Sequence, residues 1–192
     1  MPELPVLNLH AVLPVSGVNG PGKRMVVFFQ GCLRGCPGCF NPGTHPFKDA
    51  ISTGVDGLFA KWFVPGIYGL TVSGGEPFMQ PVGLLSLLGA AHGRGLSTVV
   101  YTGYTIEEIR DDPAMARCLT HTDVLVDGPY DAASPEKTLL ARGSTNQRLH
   151  FLSGRYTIDD FLLPGKAEVI IGRDGTVKST GFSRIPFPAA LL

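Results

Sequence analysis

Four short apolar runs recur along the chain with helix-length stretches between them: Met25-Val-Val-Phe-Phe-Gln30, Ile67-Tyr-Gly-Leu-Thr-Val72, Leu96 to Tyr101 and Asp123-Val-Leu-Val126. Their length and their β-branched and aromatic content suit buried strands. Between them, Gln80 to His92 carries Leu84, Leu85, Leu87 and Leu88 at helical spacing, and Gly93 and Gly95 end it. Thr105-Ile-Glu-Glu108 is a capping box opening a further helix, interrupted near Pro113 and resumed to Leu119. Ser52 to Phe63 also reads as a helix, capped by Ser52 or Thr53, with Leu58, Phe59, Trp62 and Phe63 on one face. Alternating strands and helices predict an α/β fold with right-handed crossovers and a parallel sheet.

The ends of the chain read differently. Residues 1–24 are extended and punctuated by prolines, with a turn at Asn19-Gly20-Pro21-Gly22. Segments 5–15 and 148–152 are candidates for one or two more strands. Ala167 to Ile171 and Thr176 to Thr180 flank Gly172-Arg173-Asp174-Gly175, a hairpin signal. The expected organisation is a main domain over residues 1–152 and a C-terminal extension over 153–192, packed on it and ending in a Phe-Ser-Arg-Ile-Pro-Phe-Pro tail.

Sixteen basic and sixteen acidic residues leave a formal net charge of zero. This argues against a nucleic-acid or anionic-membrane binder, which needs a basic patch. No apolar run reaches the length of a membrane span, and the first residues lack the pattern of a secretion signal. Four cysteines, three of them clustered, point to metal rather than to disulfides and hence to a reducing, cytoplasmic setting.

Each of the four runs is followed by a polar or glycine-rich loop: Gly31 to Asn41, Ser73-Gly-Gly-Glu-Pro77, Thr102-Gly-Tyr104 and Asp127-Gly-Pro-Tyr130. In a parallel sheet these loops share the C-terminal edge, where α/β folds place their sites. The first loop holds Cys32, Cys36 and Cys39, spaced C-x3-C-x2-C. Thiolates suit zinc or an iron–sulfur cluster. Structural zinc needs a fourth ligand, for which His45 is the nearby candidate. A cluster held by three cysteines keeps one iron open for a substrate. Cys118, far along the chain in a predicted helix, reads as a buried small residue. In the second loop, Gly74 and Gly75 let the backbone approach a ligand closely, and Glu76 offers a carboxylate to an ammonium group.

Taken together, C-x3-C-x2-C and the Gly-Gly-Glu loop resemble the radical S-adenosylmethionine (SAM) superfamily. Pro37-Gly38-Cys39-Phe40-Asn41 resembles the activating enzymes of anaerobic (class III) ribonucleotide reductase. Gly20-Pro21-Gly22, Gln30-Gly31-Cys32, Thr102 to Thr105, Val126 to Tyr130 and Arg142 to Arg148 extend the likeness over residues 7–150. The resemblance implies a partial, open parallel β/α barrel of the radical SAM type, here with a C-terminal β-hairpin. It also implies a [4Fe–4S] cluster on Cys32, Cys36 and Cys39, with the SAM amino and carboxylate groups on the fourth iron.

The activity implied is reductive cleavage of SAM to a 5′-deoxyadenosyl radical that installs a glycyl radical on a partner protein, with an electron donor of the flavodoxin or ferredoxin type. A biosynthetic radical SAM enzyme acting on a small metabolite or peptide is the alternative, and a non-catalytic metal-binding module is a third reading. Ser73, Gly74, Gly75 and Glu76 are the expected SAM-binding residues, with Gly38 by the cluster, Thr102 and Tyr104 at the ribose or adenine, and Asp127 at a strand end. Asn146, Gln147 and Arg148 read either as contacts to SAM or the partner or as a surface turn.

Overall fold

The computed structural model describes residues 5–139, 142–162, 167–172 and 174–181; the expected Phe-Ser-Arg-Ile-Pro-Phe-Pro tail lies outside them. The elements run β1 (Val6–Ser16), β2 (Arg24–Phe29), β3 (Ile51–Gly54), α1 (Val55–Trp62), β4 (Gly69–Gly74), α2 (Pro81–Gly93), β5 (Ser97–Tyr101), α3 (Ile106–Asp111), α4 (Pro113–Ala116), β6 (Val124–Asp127), β7 (Arg148–Phe151), β8 (Ala167–Ile171) and β9 (Val177–Gly181). Strands β1 to β7 form one mixed sheet in the order β3-β1-β2-β4-β5-β6-β7.

The four apolar runs are its parallel centre: β2 pairs with β4, β4 with β5 and β5 with β6, all parallel. β1 and β7 join this centre antiparallel to their neighbours, and β3 pairs with β1. β8 and β9 pair with each other in a separate two-stranded sheet.

Central strands that are apolar on both faces must be covered on both. Leu7, Leu9, Met25, Val27, Leu70, Val72, Val100 and Leu125 face one way, into a core shared with Leu58 and Phe59 of α1, Leu84, Leu87 and Leu88 of α2 and Ile109 of α3. Cys118 is buried in the same layer. Val99, Val124 and Val126 belong to a second core with Leu139, Phe161 and Tyr156.

Beside that second core lies a buried arginine. Arg24 of β2 donates to the Thr71 hydroxyl, the Ser97 hydroxyl and carbonyl, the Leu70 and Pro21 carbonyls and the Tyr156 hydroxyl, at 2.8–3.0 Å. Among the described residues no carboxylate bonds it, and burial lowers its pKa. Space for the guanidinium exists because Gly69 has no side chain: a Cβ there would overlap Arg24.

The expected helix over 52–63 is corrected. Residues 51–54 form β3, because their backbone pairs with the start of β1 and Asn8 takes the Ala50 N–H at 3.0 Å. The helix begins at Val55, with Gly54 as its N-cap and no side-chain cap. Phe63 falls past its end and is 38% exposed, not core. The Thr105–Glu108 capping box is present, and Pro113 divides α3 from α4.

Candidate active site

A cavity of about 750 Å³ opens beside the C-terminal ends of the parallel strands. Phe28, Ser73 and Tyr101 contribute from β2, β4 and β5, and Cys32, Cys36 and Cys39 from the loop after β2. The three thiols are half-buried and unbridged. Among the described residues, no three His, Cys, Asp or Glu side chains converge on one metal ion.

The cysteine loop is held from beneath by the Gly-Gly-Glu turn. Gly75 N donates to Phe29 O and Glu76 N to Gly31 O, each at 2.8 Å, while Gly31 N donates to Thr44 O at 2.7 Å and Cys32 N to His45 O at 3.1 Å. A Cβ on Gly74 would overlap the backbone of Phe28 and Phe29, and one on Gly75 the Gly31 carbonyl. Gly74 also takes φ +105°, a region open to glycine but disfavoured for other residues. The paired glycines thus bring two loops together, a use of close approach that the sequence had suggested only for a ligand.

Around the thiols the backbone supplies donors. Asn41 N–H points at Cys39 Sγ at 3.3 Å, and the Arg34 and Gly35 amides serve Cys32. Burial raises the pKa of Cys32 and of Cys39, with the neighbouring Cys36 sulfur adding to it. Such thiols stay protonated until a cation or metal takes the proton's place. Cys118 is buried apart from them, its pKa pushed up to about 12 by desolvation. Gly38 takes φ +71°, and a Cβ there would press on Ala132 at 2.9 Å. It shapes the turn between Cys36 and Cys39 and does not line the cavity.

Glu76 is buried at the cavity floor. Its carboxylate accepts from Thr102 Oγ1 and Gly103 N at 2.8 Å and from Phe78 N at 3.1 Å. Desolvation nevertheless pushes its pKa up to about 7. A carboxylate held so close to neutrality is poised to gain from a cation placed beside it. Thr102 is thereby a support for Glu76 as well as a lining residue, and its hydroxyl also accepts from Tyr104 N at 3.0 Å.

Two of the expected SAM contacts face elsewhere. The Tyr104 ring lies under the Arg34 guanidinium, 3.9 Å from centroid to carbon. Arg34 in turn reaches both Glu108 oxygens at 3.2 Å. This cation–π and ion-pair clamp ties the cysteine loop to the start of α3. Asp127 is buried beneath the same helix. It accepts from Ile106 N at 2.7 Å and from the Arg148 guanidinium at 3.0 and 2.5 Å, with His150 at 3.1 Å. Burial works against its charge, but Arg148 and the Ile106 amide hold its pKa below the usual range. Neither Tyr104 nor Asp127 lines the cavity.

The Arg142 to Arg148 stretch is a closure for the long loop between β6 and β7. Gln147 donates to Gly128 O and accepts from Gly143 N and Ser144 N, Asn146 donates to Pro129 O, and Arg142 bonds Gln147 O and Glu136. The closed loop sets Tyr130 against Phe40, ring centroids 4.9 Å apart, on the cavity wall. Arg34 went unnoticed in the sequence because its partners lie far along the chain. Charge alternation gives no warning of a contact between residues 34 and 108.

The hairpin supplies a further wall: Ile170 of β8 and Ser179, Thr180 and Gly181 of β9 line the same cavity. Glu168 secures it, accepting from Ser16 Oγ at 2.6 Å and Gly17 N at 2.8 Å, and Asn19 donates to Thr180 Oγ1 at 3.0 Å.

With this geometry in place, the sequence matches the 4Fe-4S single cluster domain family over residues 18–150. Among curated relatives, the anaerobic ribonucleoside-triphosphate reductase-activating protein of Salmonella typhi is 32% identical over 158 residues, covering 76% of this chain and 99% of that protein. The protein of the same description from Enterobacteria phage T4 is 33% identical over 150 residues, covering 74% of this chain and 93% of its own. Among solved structures, QueE from Escherichia coli matches with a TM-score of 0.39 at 18% identity over 52% of each chain.

Proposed function

We propose the function of a chain that belongs to the family of the anaerobic ribonucleoside-triphosphate reductase-activating proteins: it is a radical SAM enzyme that installs a glycyl radical on an anaerobic ribonucleotide reductase. The observation that carries this reading is the joining of three thiols from one loop to the Gly-Gly-Glu turn by paired backbone hydrogen bonds, at a single cavity. Once bound, a [4Fe–4S] cluster would pass one electron from an external donor to SAM, whose cleavage to methionine would supply the radical chemistry needed at a glycine Cα. The chain's own residues bind, orient and shield.

In this reading Cys32, Cys36 and Cys39 ligate three irons, and the amides near Cys32 and Cys39 bond thiolate sulfur and tune the potential. Ser73, Gly74, Gly75 and Glu76 seat the methionyl end, with the Glu76 carboxylate facing its ammonium. Thr102 and Gly103 hold that carboxylate in place. Gly38, Tyr104 and Asp127 act one step back, shaping the cluster loop, stacking on Arg34 and anchoring α3. With its helices gathered on one face and the cavity on the other, the sheet reads as the open partial barrel of the radical SAM fold. We place the domain over residues 1–152 and the extension over 153–192, of which Tyr156, Phe161 and Glu168 pack or bond on the domain. The expected electron donor is of the flavodoxin or ferredoxin type, and a loop of three metal-ligating thiols suits a reducing, cytoplasmic setting. No helix among the described residues is long and apolar enough to cross a membrane.

The test is anaerobic reconstitution with iron and sulfide, then incubation with SAM, a strong reductant and a co-expressed anaerobic reductase. Absorption near 400 nm, 5′-deoxyadenosine and a glycyl-radical signal by electron paramagnetic resonance are expected, all lost in Cys36→Ala. Deoxyadenosine that responds to a small molecule and never to the reductase would move the protein to a metabolic substrate.

A further inference from the structure

The site has a wall that its family match does not reach. The match ends at residue 150, and the relative from Salmonella typhi is aligned over 99% of its own length while covering only 76% of this chain. Yet Ile170, Ser179, Thr180 and Gly181, from the hairpin, line the cavity that holds the three cysteines.

The hairpin is also fixed in place. Glu168 and Thr180 are cross-strand partners and share a face. That face bonds Ser16, Gly17 and Asn19, at the turn between β1 and β2. Ser16 and Asn19 are buried, so the bonds they make are partly sheltered from water and help hold the hairpin in one orientation.

The chemistry of the wall selects its occupant. The described lining of the hairpin is one aliphatic side chain, the Ser179 hydroxyl and a glycine, with Glu168 and the Thr180 hydroxyl engaged by the tether. Across the cavity stand the paired Phe40 and Tyr130 rings and Gly143. Hydroxyls beside small residues bond main-chain amides and carbonyls, and the rings and Ile170 pack on small apolar groups. A phosphorylated metabolite asks instead for free cations; among the described lining residues Arg34 is committed to Glu108 and His10 bonds Gln30.

We propose that the β8–β9 hairpin is a substrate-side wall which, with Phe40 and Tyr130 opposite, grips an extended, uncharged polypeptide segment of the reductase partner and presents its glycine to the site. This rests on the activating function proposed above. Residues of the hairpin touch the partner, not the cluster, so the wall works at the level of affinity and positioning.

The experiment uses the full chain, first without cofactors. Binding of the purified anaerobic reductase is measured for the wild type, for Ile170→Asp, which places a charge on the wall, for Glu168→Ala, which releases the tether without entering the cavity, and for Val169→Ser. Val169 is 43% exposed and lies outside the lining, so its variant controls for general damage to the hairpin. We expect Ile170→Asp and Glu168→Ala to weaken binding at least tenfold, and Val169→Ser to leave it within twofold. A photo-crosslinker in place of Ser179 is expected to capture a reductase peptide.

Unchanged affinity in Ile170→Asp, equal losses in all three variants, crosslinks confined to this chain, or a wild type that does not bind would each overturn the proposal. The activating function fails separately, by a wild type that binds the reductase and cleaves SAM but leaves no glycyl radical on it.

Discussion

Glu76 shows how one residue joins stability to binding. Its carboxyl titrates at about 7 in the folded chain against 4.5 ordinarily, because desolvation outweighs three hydrogen bonds. A folded value above the unfolded one means that the protein binds this proton more tightly when folded. The stability so conferred is fully present below about 4.5 and is lost as pH rises through about 7. Over that window the loss is on the order of 3 kcal/mol for a shift of this size. The apo protein is therefore expected to melt lower at pH 8 than at pH 5, with Glu76→Gln flattening that step. Parallel slopes in the two proteins would assign the pH dependence to other groups. If SAM seats its ammonium beside this carboxylate as proposed, the charged form is favoured and the wild-type slope should shrink.

At the scale of elements, the cysteine loop takes its shape from what it rests on. Gly75→Ala places a Cβ against the Gly31 carbonyl, and both loops must then part. A cost of about 2–4 kcal/mol is expected from a backbone clash of this kind, read by urea unfolding, together with weakened retention of the reconstituted cluster. Wild-type iron content in Gly75→Ala would show that the loops are not coupled. The Arg34 clamp is a milder device. It is partly exposed, so Arg34→Ala should cost only about 1–2 kcal/mol from the ion pair and the ring contact together.

The sequence disclosed these elements unevenly. The Thr105–Glu108 capping box is a local motif, legible because its two partners lie three residues apart. The segment 51–54 was not legible as a strand, because only pairing with β1, more than forty residues upstream, draws it out of a helical pattern. Asp127 was open to both a ligand-contact and a capping role for a related reason. A carboxylate ending a buried strand looks alike whether it faces a cavity or the underside of the next helix.

For the whole molecule, one buried arginine ties together strands that the chain keeps far apart. From β2, Arg24 bonds residues of two further strands, β4 and β5, and Tyr156. Replacing it with methionine leaves the Thr71 and Ser97 groups without their donor in a buried setting, at an expected cost of about 3–5 kcal/mol. Lysine is expected to recover only part of this, since it lacks the planar fork. Equilibrium unfolding of both variants gives the comparison, and a near-native Arg24→Met protein would show the network to be dispensable.

The sequence by itself determined the parallel centre of the sheet, its four loops at one edge and the three-thiol loop among them. These follow from strand-length apolar runs, glycine placement and ligand spacing, all local properties of the chain. Only the tertiary structure decided that Gly74 and Gly75 pack on the cysteine loop, that Tyr104 and Asp127 turn away from the cavity, and that Ile170, Ser179, Thr180 and Gly181 come back to wall it. Each of those depends on contact between segments distant along the chain, and a side chain's direction there is set by the neighbour it meets.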